Sequence, residues 1–346
     1  MTDAVVFNNV SIIFGDNPQR ALALADAGKS RDEIGAETGL VLGVADATLS
    51  INEGEILVLM GLSGSGKSTL LRAVNGLAPV VRGDVAVKAG NGAVNPYKAT
   101  PKALRDFRMH TVSMVFQQFA LLPWRTVADN VGFGLELAGV PDSERKARVA
   151  EQLELVNLTK WANRKVNELS GGMQQRVGLA RAFATGAPIL LMDEPFSALD
   201  PLIRTRLQDE LLEFQRRLKK TIIFVSHDLD EAFRIGNRIA IMEGGRIIQC
   251  GTPQEIVKNP ANQYVADFVQ NINPINMLTA HDVMQPGASH SGTVTATTAP
   301  ETPLVDVLDA MARTPGNVGV VENGTVVGTI SAQDIIGGLT RHRRRG

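Results

Sequence analysis

The residues with the clearest chemical meaning form a glycine-rich run, Gly61 to Thr69, with the sequence GLSGSGKST. A short apolar segment of strand length, Glu55 to Met60, precedes the run, and a helical pattern opens near Ser68. This arrangement of strand, loop and helix is what the phosphate-binding motif G-x-x-x-x-G-K-[ST] requires. A glycine-rich turn with an incidental lysine is the alternative, and it leaves the flanking strand and helix unexplained.

Each residue type in this run suits the phosphates of a nucleotide. The glycines let the backbone come close to phosphate oxygens, and the following helix adds the positive end of its dipole. Lys67 is expected to reach the β and γ phosphates, and the Ser68 hydroxyl to hold Mg²⁺. We therefore predict that a nucleotide and Mg²⁺ are bound here, with nucleotide contacts from Gly61, Ser63, Gly64, Ser65, Gly66, Lys67, Ser68 and Thr69.

Two carboxylates end the apolar strand predicted at Ile189 to Glu194. A carboxylate at the end of a buried strand is the expected Mg²⁺ partner in a P-loop protein, and this assigns Asp193. Glu194, the next residue, is the candidate base for the attacking water.

Two further polar residues follow apolar strands. Gln117 comes after Thr111 to Phe116, and His227 comes shortly after Thr221 to Val225. The carboxyl ends of parallel strands form the edge at which α/β sheets bind ligands, so both side chains are candidates for the same site. Each signal is weak alone, since a lone histidine is more often structural.

A second candidate anion site is the segment Leu169 to Arg176, LSGGMQQR. Its small residues form a predicted loop directly before the apolar helix Val177 to Thr185. The N-terminus of that helix would favour a phosphate.

Composition indicates a globular protein of about two domains. The chain has 346 residues, a net charge of −1 and one cysteine, Cys250, which cannot form an intrachain disulfide. The N-terminus lacks a signal-peptide pattern, and no apolar stretch approaches the roughly 18 to 20 residues that a membrane helix needs. We expect a cytoplasmic protein that reaches a membrane only through a partner, and the charge balance gives no case for nucleic-acid binding.

The segment before the glycine-rich run reads as an antiparallel β region with a helical insertion at about 19–39. The predicted helices are Arg20 to Ala27 and Arg31 to Thr38, and Ser30 with Glu33 forms a capping box for the second. Phe14 stands just before the insertion. Its ring either stacks on a purine or packs in the core, and the sequence leaves both open.

The C-terminal segment has a different pattern. Strand, helix, two strands and helix are predicted, with the two strands joined across Asn323-Gly324. We expect the domains to be 1–275 and 276–346. The second ends in the basic run Arg341 to Arg345, which is either solvated charge or a contact with anionic lipid.

The order of these motifs resembles that of the ATP-binding subunits of ABC transporters, over residues 4 to about 270. The resemblance implies an α/β P-loop NTPase of the ABC type, with a mixed sheet core, an antiparallel β subdomain and a helical subdomain. It implies that Gln117 is a Q-loop ligand of Mg²⁺ and that His227 senses the γ phosphate. It also implies a homodimer, because each subunit's signature loop caps ATP on the other. The signature-loop residues implied to contact the other subunit's ATP are Ser170, Gly171 and Gly172. Asp200 is the implied D-loop aspartate of the same site.

A narrower resemblance points to importers of quaternary amines. Two segments, the insertion beginning at Phe14 to Arg20 and the sequence FQQFALLPWRTV, are similar to those of the importer ATPases for choline, glycine betaine or proline betaine. This implies membrane permease subunits, a separate substrate-binding protein and a position on the cytoplasmic face of the plasma membrane. The alternatives are an importer for an amino acid or sugar and, with less support, a soluble ABC ATPase outside transport. The C-terminal segment is similar to one CBS motif, which implies a small α+β regulatory module; the alternative is a degenerate appendage that only adds interface.

Overall fold

The computed structural model describes residues 2–116, 120–197, 199–270, 275, 278–287 and 293–343. These residues form two compact units, Met1–Cys250 and Gly251–Gly346. The domain boundary that the sequence suggested at residue 275 stays a prediction. No α-helix in the described ranges combines the length and apolar character that a bilayer crossing needs.

The strands described in the first unit are β1 (Asp3–Phe14), β2 (Val41–Asn52), β3 (Ile56–Met60), β4 (Val80–Ala89), β5 (Gly92–Val94), β6 (Val112–Val115), β7 (Ile189–Asp193), β8 (Thr221–Val225), β9 (Arg238–Glu243) and β10 (Arg246–Gly251). They form two sheets. The first has the order β2-β1-β4-β5 and is antiparallel, and the second has the order β10-β9-β3-β8-β7-β6.

The insertion occupies the connection between β1 and β2, as α1 (Gln19–Asp26) and α2 (Arg31–Thr38). Phe14 pairs with Val41 at the end of the two strands, so the insertion leaves and re-enters the sheet at adjacent points. The predicted capping box of Ser30 and Glu33 is present, and Gly39 ends α2 in the left-handed conformation. The helices pack on the sheet through a small apolar core that includes Leu22, Ile34 and Leu42.

The second sheet places the ends of its central strands side by side. β3 pairs in parallel with both β8 and β9, and β7 pairs in parallel with β8 and β6. All residues of β3, β7 and β8 are buried, which is the pattern of strands covered on both faces. Because Leu59 and Asp193 are both partners of Val225, the segments after these strands emerge at one edge.

The α-helices described in the rest of the first unit are α3 (Lys67–Ala73), α4 (Pro101–His110), α5 (Val127–Leu137), α6 (Asp142–Leu155), α7 (Gly171–Ala184), α8 (Pro201–Leu218) and α9 (Leu229–Ile235). Short 3₁₀ turns lie at Thr159–Trp161 and Val166–Glu168. Helices α5, α6 and α7 share a separate apolar core, to which Val149, Leu153 and Val156 contribute.

One predicted helix boundary is wrong. The sequence placed the start of α7 at Val177, after a loop, whereas the helix begins at Gly171. Ser170 is its N-cap, and the Ser170 hydroxyl accepts a hydrogen bond from the Met173 N–H at 3.4 Å. Glycine costs about 1 kcal/mol in a helix interior, but a capped first turn tolerates the pair Gly171-Gly172.

The second unit contains the strands β11 (Gln285–Pro286), β12 (Val294–Thr298), β13 (Asn317–Glu322) and β14 (Thr325–Ile330), and the helices α10 (Pro253–Lys258), α11 (Gln263–Val269), α12 (Ala280–Val283), α13 (Leu304–Arg313) and α14 (Ala332–Arg343). The predicted order of strand, helix, two strands and helix is confirmed from β12 to α14. Asn323 and Gly324 both have positive φ, 49° and 78°, as a tight hairpin turn requires. The sheet order is β11-β14-β13-β12.

Candidate functional site

A cavity of about 510 Å³ lies over the loop between β3 and α3. The P-loop and the first turn of α3 contribute Ser63, Gly64, Gly66, Lys67, Ser68 and Thr69 to its wall. Six of the eight residues that the sequence assigned to phosphate binding therefore line a single cavity. The other two, Gly61 and Ser65, are buried parts of the loop and are not among the described lining residues.

The loop needs glycine at two positions for packing as well as conformation. Gly61 has φ 144°, and a Cβ there would lie 2.1 Å from the Met242 carbonyl oxygen. Gly66 has φ 103°, and a Cβ there would lie 2.4 Å from the Gly43 carbonyl oxygen. Side chains cannot occupy these positions without moving the backbone, so the loop stays close to β2 and β9.

Lys67 is buried and hydrogen-bonded to the loop itself. Its ammonium donates to the Gly61 carbonyl at 2.9 Å and to the Leu62 carbonyl at 3.0 Å. Burial lowers the pKa of Lys67, and the nearby carboxylates of Glu194 and Asp193 oppose that shift. The lysine is therefore held at the cavity wall within the field of two carboxylates.

Asp193 connects the P-loop helix to the end of β7. It is 1% exposed. Its Oδ1 accepts a hydrogen bond from the Ser68 hydroxyl at 2.6 Å, and its Oδ2 accepts one from the Arg72 guanidinium at 2.9 Å. The two residues that the sequence assigned to Mg²⁺, Ser68 and Asp193, are thus in direct contact.

These residues fit a magnesium site of the P-loop kind. Among the described residues there is no group of three or more His, Cys, Asp or Glu side chains that could hold a metal alone. Mg²⁺ usually keeps several waters and takes one or two protein oxygens together with substrate phosphates. The hydroxyl of Ser68 and the carboxylate of Asp193 are oxygen ligands of that type.

Glu194 and His227 also line the cavity. Glu194 has a left-handed backbone with φ 47°, and its N–H donates to the Val225 carbonyl at 3.2 Å. Its carboxylate Oε2 lies 3.2 Å from His227 Nδ1. The predicted base and the predicted histidine therefore contact each other at the end of β7 and β8.

Phe14 is on the cavity wall rather than in the core. Its side chain is 40% exposed and lines the cavity together with Gly43. A Cβ on Gly43 would lie 2.9 Å from Phe14 Cε2, so the glycine leaves room for the ring. The ring is accessible to a ligand, which favours the stacking interpretation.

Comparison with known proteins identifies the family. Residues 44–197 match the family described as ABC transporter. The chain is 51% identical over 275 residues to the glycine betaine/proline betaine transport ATP-binding protein ProV of Salmonella typhimurium, covering 80% of this chain and 68% of that protein. This chain belongs to the ABC transporter family. It is an ATPase of that family, and its first unit has the ABC-type P-loop fold with mixed sheets.

Two other relatives extend the comparison. The trimethylamine N-oxide transport ATP-binding protein TmoW of Ruegeria pomeroyi is 42% identical over 325 residues, covering 94% of both chains. A dimer of the ATP-binding cassette MJ0796, solved with ADP and phosphate, is similar with a TM-score of 0.60 and 30% identity, covering 72% of this chain and 98% of that one.

Four further residues that the family resemblance assigned, all in the described part of the chain, lie outside the lining of this cavity in the ABC ATPase. Ser170, Gly171 and Gly172 form the N-terminus of α7, and the Asp200 carboxylate caps α8 by accepting from the Ile203 N–H at 3.1 Å. None of the four is among the described lining residues. Gln117 lies outside the residues that the structure describes.

Sequence reasoning missed two side chains of the site. Arg31, the first residue of α2, lines the cavity of the ABC ATPase, and its guanidinium donates a hydrogen bond to the Gly64 carbonyl. Arg72, in the last turn of α3, pairs with Asp193. Arg72 could have been found from helical spacing, because it lies one turn beyond Ser68 on the same face. No local pattern signals Arg31, because its position depends on how the insertion packs.

Proposed function

We propose that this chain is the ATP-hydrolysing subunit of an ABC importer for a quaternary amine, with glycine betaine or choline as the solute. The similarity to ProV carries the proposal, because it spans 275 residues and so extends well beyond the family match at residues 44–197. A glycine betaine transport ATP-binding protein of Bacillus subtilis, OpuAA, is also 49% identical over 276 residues.

Trimethylamine N-oxide is a second candidate solute. The TmoW protein of Ruegeria pomeroyi, named for its transport, matches over 94% of both chains, which includes most of the C-terminal unit. Trimethylamine N-oxide and glycine betaine both present a trimethylated, positively charged nitrogen, so one type of binding protein could serve either. Importers of other solutes use similar ATPases, since a spermidine/putrescine import protein is 42% identical over 259 residues. The ATPase therefore supports transport as the function, while the solute rests on analogy.

The proposed chemistry assigns one role to each group of cavity residues. Lys67 and the amides of the P-loop bind the phosphates, and Ser68, Asp193 and Gln117 hold Mg²⁺, which neutralises phosphate charge when bound. Glu194 polarises the attacking water, since it lines the same cavity as Lys67. His227, at 3.2 Å from Glu194, orients that carboxylate and responds to the γ phosphate.

A second copy of the chain is proposed to complete each site. Ser170, Gly171, Gly172 and Asp200 lie away from the cavity of their own chain, which is expected if they contact nucleotide on a partner. The similar MJ0796 cassette is a dimer with ADP and phosphate. The dimer would act at the cytoplasmic face of the plasma membrane, beneath permease subunits that receive solute from a binding protein with an aromatic cage.

The test is reconstitution of this chain in vesicles with its permease and its substrate-binding protein. We expect ATP hydrolysis to rise when glycine betaine or choline is added with the binding protein, and labelled solute to enter the vesicles. Stimulation by trimethylamine N-oxide alone would move the assignment to that solute. Stimulation only by an amino acid, a sugar or a polyamine would contradict the proposal.

The Phe14 ring is proposed as the platform for adenine. Stacking on an aromatic ring contributes roughly 0.5 to 1.5 kcal/mol beyond burial, so Phe14→Ala should weaken nucleotide binding by about tenfold and change the turnover of bound ATP little. Calorimetry with ATP measures the affinity. Phe14→Tyr should be tolerated. Trp161→Ala is a control, because Trp161 is also 40% exposed and does not line the cavity. Equal affinities in Phe14→Ala and native protein would reject the stacking role.

The C-terminal segment 276–346 is proposed to be a regulatory module of the CBS kind. Its order of elements supports this, and a second motif from the partner chain would enlarge its small core. We also propose that the basic run Arg341 to Arg345 contacts anionic lipid. Residues 344–346 and the side chains from residue 340 onward lie outside the described part of the chain.

Attraction between arginine and an anionic surface is about 1 kcal/mol per residue and is screened within roughly 8 to 10 Å at physiological salt. ATPase activity in anionic vesicles should therefore rise with internal salt, as the basic run is released. Deletion of Arg341 to Gly346 should flatten that dependence. Superimposable salt curves for intact and truncated protein would reject the lipid contact.

A further inference from the structure

The helical insertion places one cation at the nucleotide cavity. Arg31 is the first residue of α2, directly after the capping residue Ser30, and its half-buried side chain lines the cavity beside the P-loop. The guanidinium donates to the carbonyl of Gly64, which is in the middle of the loop. The insertion therefore contacts the phosphate-binding element of the same chain.

The insertion is anchored firmly enough to hold that side chain in place. Arg82 in β4 donates to both carboxylate oxygens of Asp26 at 2.8 and 2.9 Å, at the end of α1. Arg246 in β10 donates to the Ala25 carbonyl at 2.9 Å. Ile34 of α2 is fully buried against the sheet. Contacts from β4, β10 and the apolar core thus fix both helices.

Arg31 differs in its partners from the other arginines of this region. Arg82 and Arg246 are each paired with carboxylates. Within the described residues the guanidinium of Arg31 has no carboxylate partner, and it makes a single hydrogen bond, to the Gly64 carbonyl. A guanidinium has five N–H donors, so most of them remain available to another acceptor. The planar fork of donors suits the oxygens of phosphate in particular.

We propose that Arg31 is a nucleotide-binding residue that contacts the phosphate chain of ATP in the same subunit that holds it on the P-loop. The insertion is then part of the ATP site, because it supplies a second cation beside Lys67. The bond to the Gly64 carbonyl also orients the loop peptide so that its amides face the phosphates. This inference rests on the cavity being the ATP site of the proposed function.

The test compares ATP affinity among single variants of the full chain. Arg31→Ala should weaken ATP binding by about tenfold, the usual effect of losing a hydrogen bond to a charged group. Arg31→Lys keeps the charge without the fork and should lose less, about threefold. Because the contact is made equally before and during reaction, the KM for ATP should rise while kcat stays within about twofold. The affinity difference from native protein should shrink at high salt.

Two controls separate the possible causes. Arg20→Ala removes the same charge from α1, where the side chain is exposed and away from the cavity, and it should bind ATP normally. Lys67→Ala should lose ATP binding. Thermal melts establish whether each variant folds. If Arg31→Ala does not fold, the affinity of Arg31→Lys tests the inference.

Native affinity in Arg31→Ala or in a folded Arg31→Lys, together with loss of binding in Lys67→Ala, would overturn the inference and leave the proposed function intact. Equal losses in Arg31→Ala and Arg20→Ala would overturn it too, since they would show a general effect of charge. Normal binding by Lys67→Ala would reject the cavity as the ATP site and the inference with it.

Discussion

Glu194→Gln is expected to lower ATP turnover by about 10²- to 10⁴-fold while ATP binding persists, because loss of a general base costs that much. The glutamine keeps the size of the side chain and still offers an oxygen to His227, which lies 3.2 Å from the native carboxylate. It cannot accept the proton of the attacking water. An ATP-bound dimer should accumulate, and size-exclusion chromatography with ATP would detect it.

The matched control is Glu243→Gln. Glu243 ends β9, the second strand from β8 in the same sheet, and its exposed side chain does not line the cavity. The control removes one negative charge near the same sheet edge, so it should hydrolyse ATP at the native rate. Turnover by Glu194→Gln close to that of the control, with permease present, would show that another group serves as base.

The phosphate-binding loop and the strand-end residues could be predicted because local sequence determines them. The apolar run before Gly61 and the helical pattern after Ser68 fix the loop as a turn between strand and helix. The strands before Asp193 and His227 are apolar at nearly every position, which indicates strands of a parallel sheet that is buried on both faces. Because the carboxyl ends of parallel strands lie at one edge, the polar residues that follow them were expected to meet there. The structure places Asp193 at the end of β7 and His227 shortly after the adjacent strand β8, where His227 lines the cavity and contacts Glu194.

The features that sequence reasoning missed depend on tertiary packing or on competing local signals. Arg31 reaches the loop because the insertion is fixed by Arg82 and Arg246, which are distant in sequence from it. The early start of α7 was obscured by Gly171-Gly172, a pair that usually indicates a loop. The Ser170 cap outweighs that tendency. The contacts with a partner chain that Ser170 and Asp200 are proposed to make were implied by the family resemblance alone, because residue spacing within one chain does not show a partner.

Asp193→Asn is expected to lower ATP turnover by about 10²- to 10³-fold, the scale found when one preorganised electrostatic contact is removed. The native carboxylate is 1% exposed and accepts hydrogen bonds from Ser68 at 2.6 Å and Arg72 at 2.9 Å. Asparagine keeps the shape, and its oxygen can still accept from Arg72 while Ser68 rotates to accept from the amide. The fold should therefore survive, and the lost property is the negative charge that a divalent cation needs beside Ser68.

The distinguishing measurement is the affinity for ATP with Mg²⁺ and with a chelator. In the native protein Mg²⁺ should strengthen ATP binding, because Asp193 attracts the metal to the phosphates; in Asp193→Asn the two affinities should converge. Asp209→Asn is the control, since Asp209 is an exposed partner of Arg234 at 2.7 Å on the surface. A native response to Mg²⁺ in Asp193→Asn would contradict the assignment. The substitution also leaves Arg72 facing an uncharged amide, which could destabilise the fold. A native melting temperature together with loss of the Mg²⁺ response would show that the lost charge, and not a change in structure, is the cause.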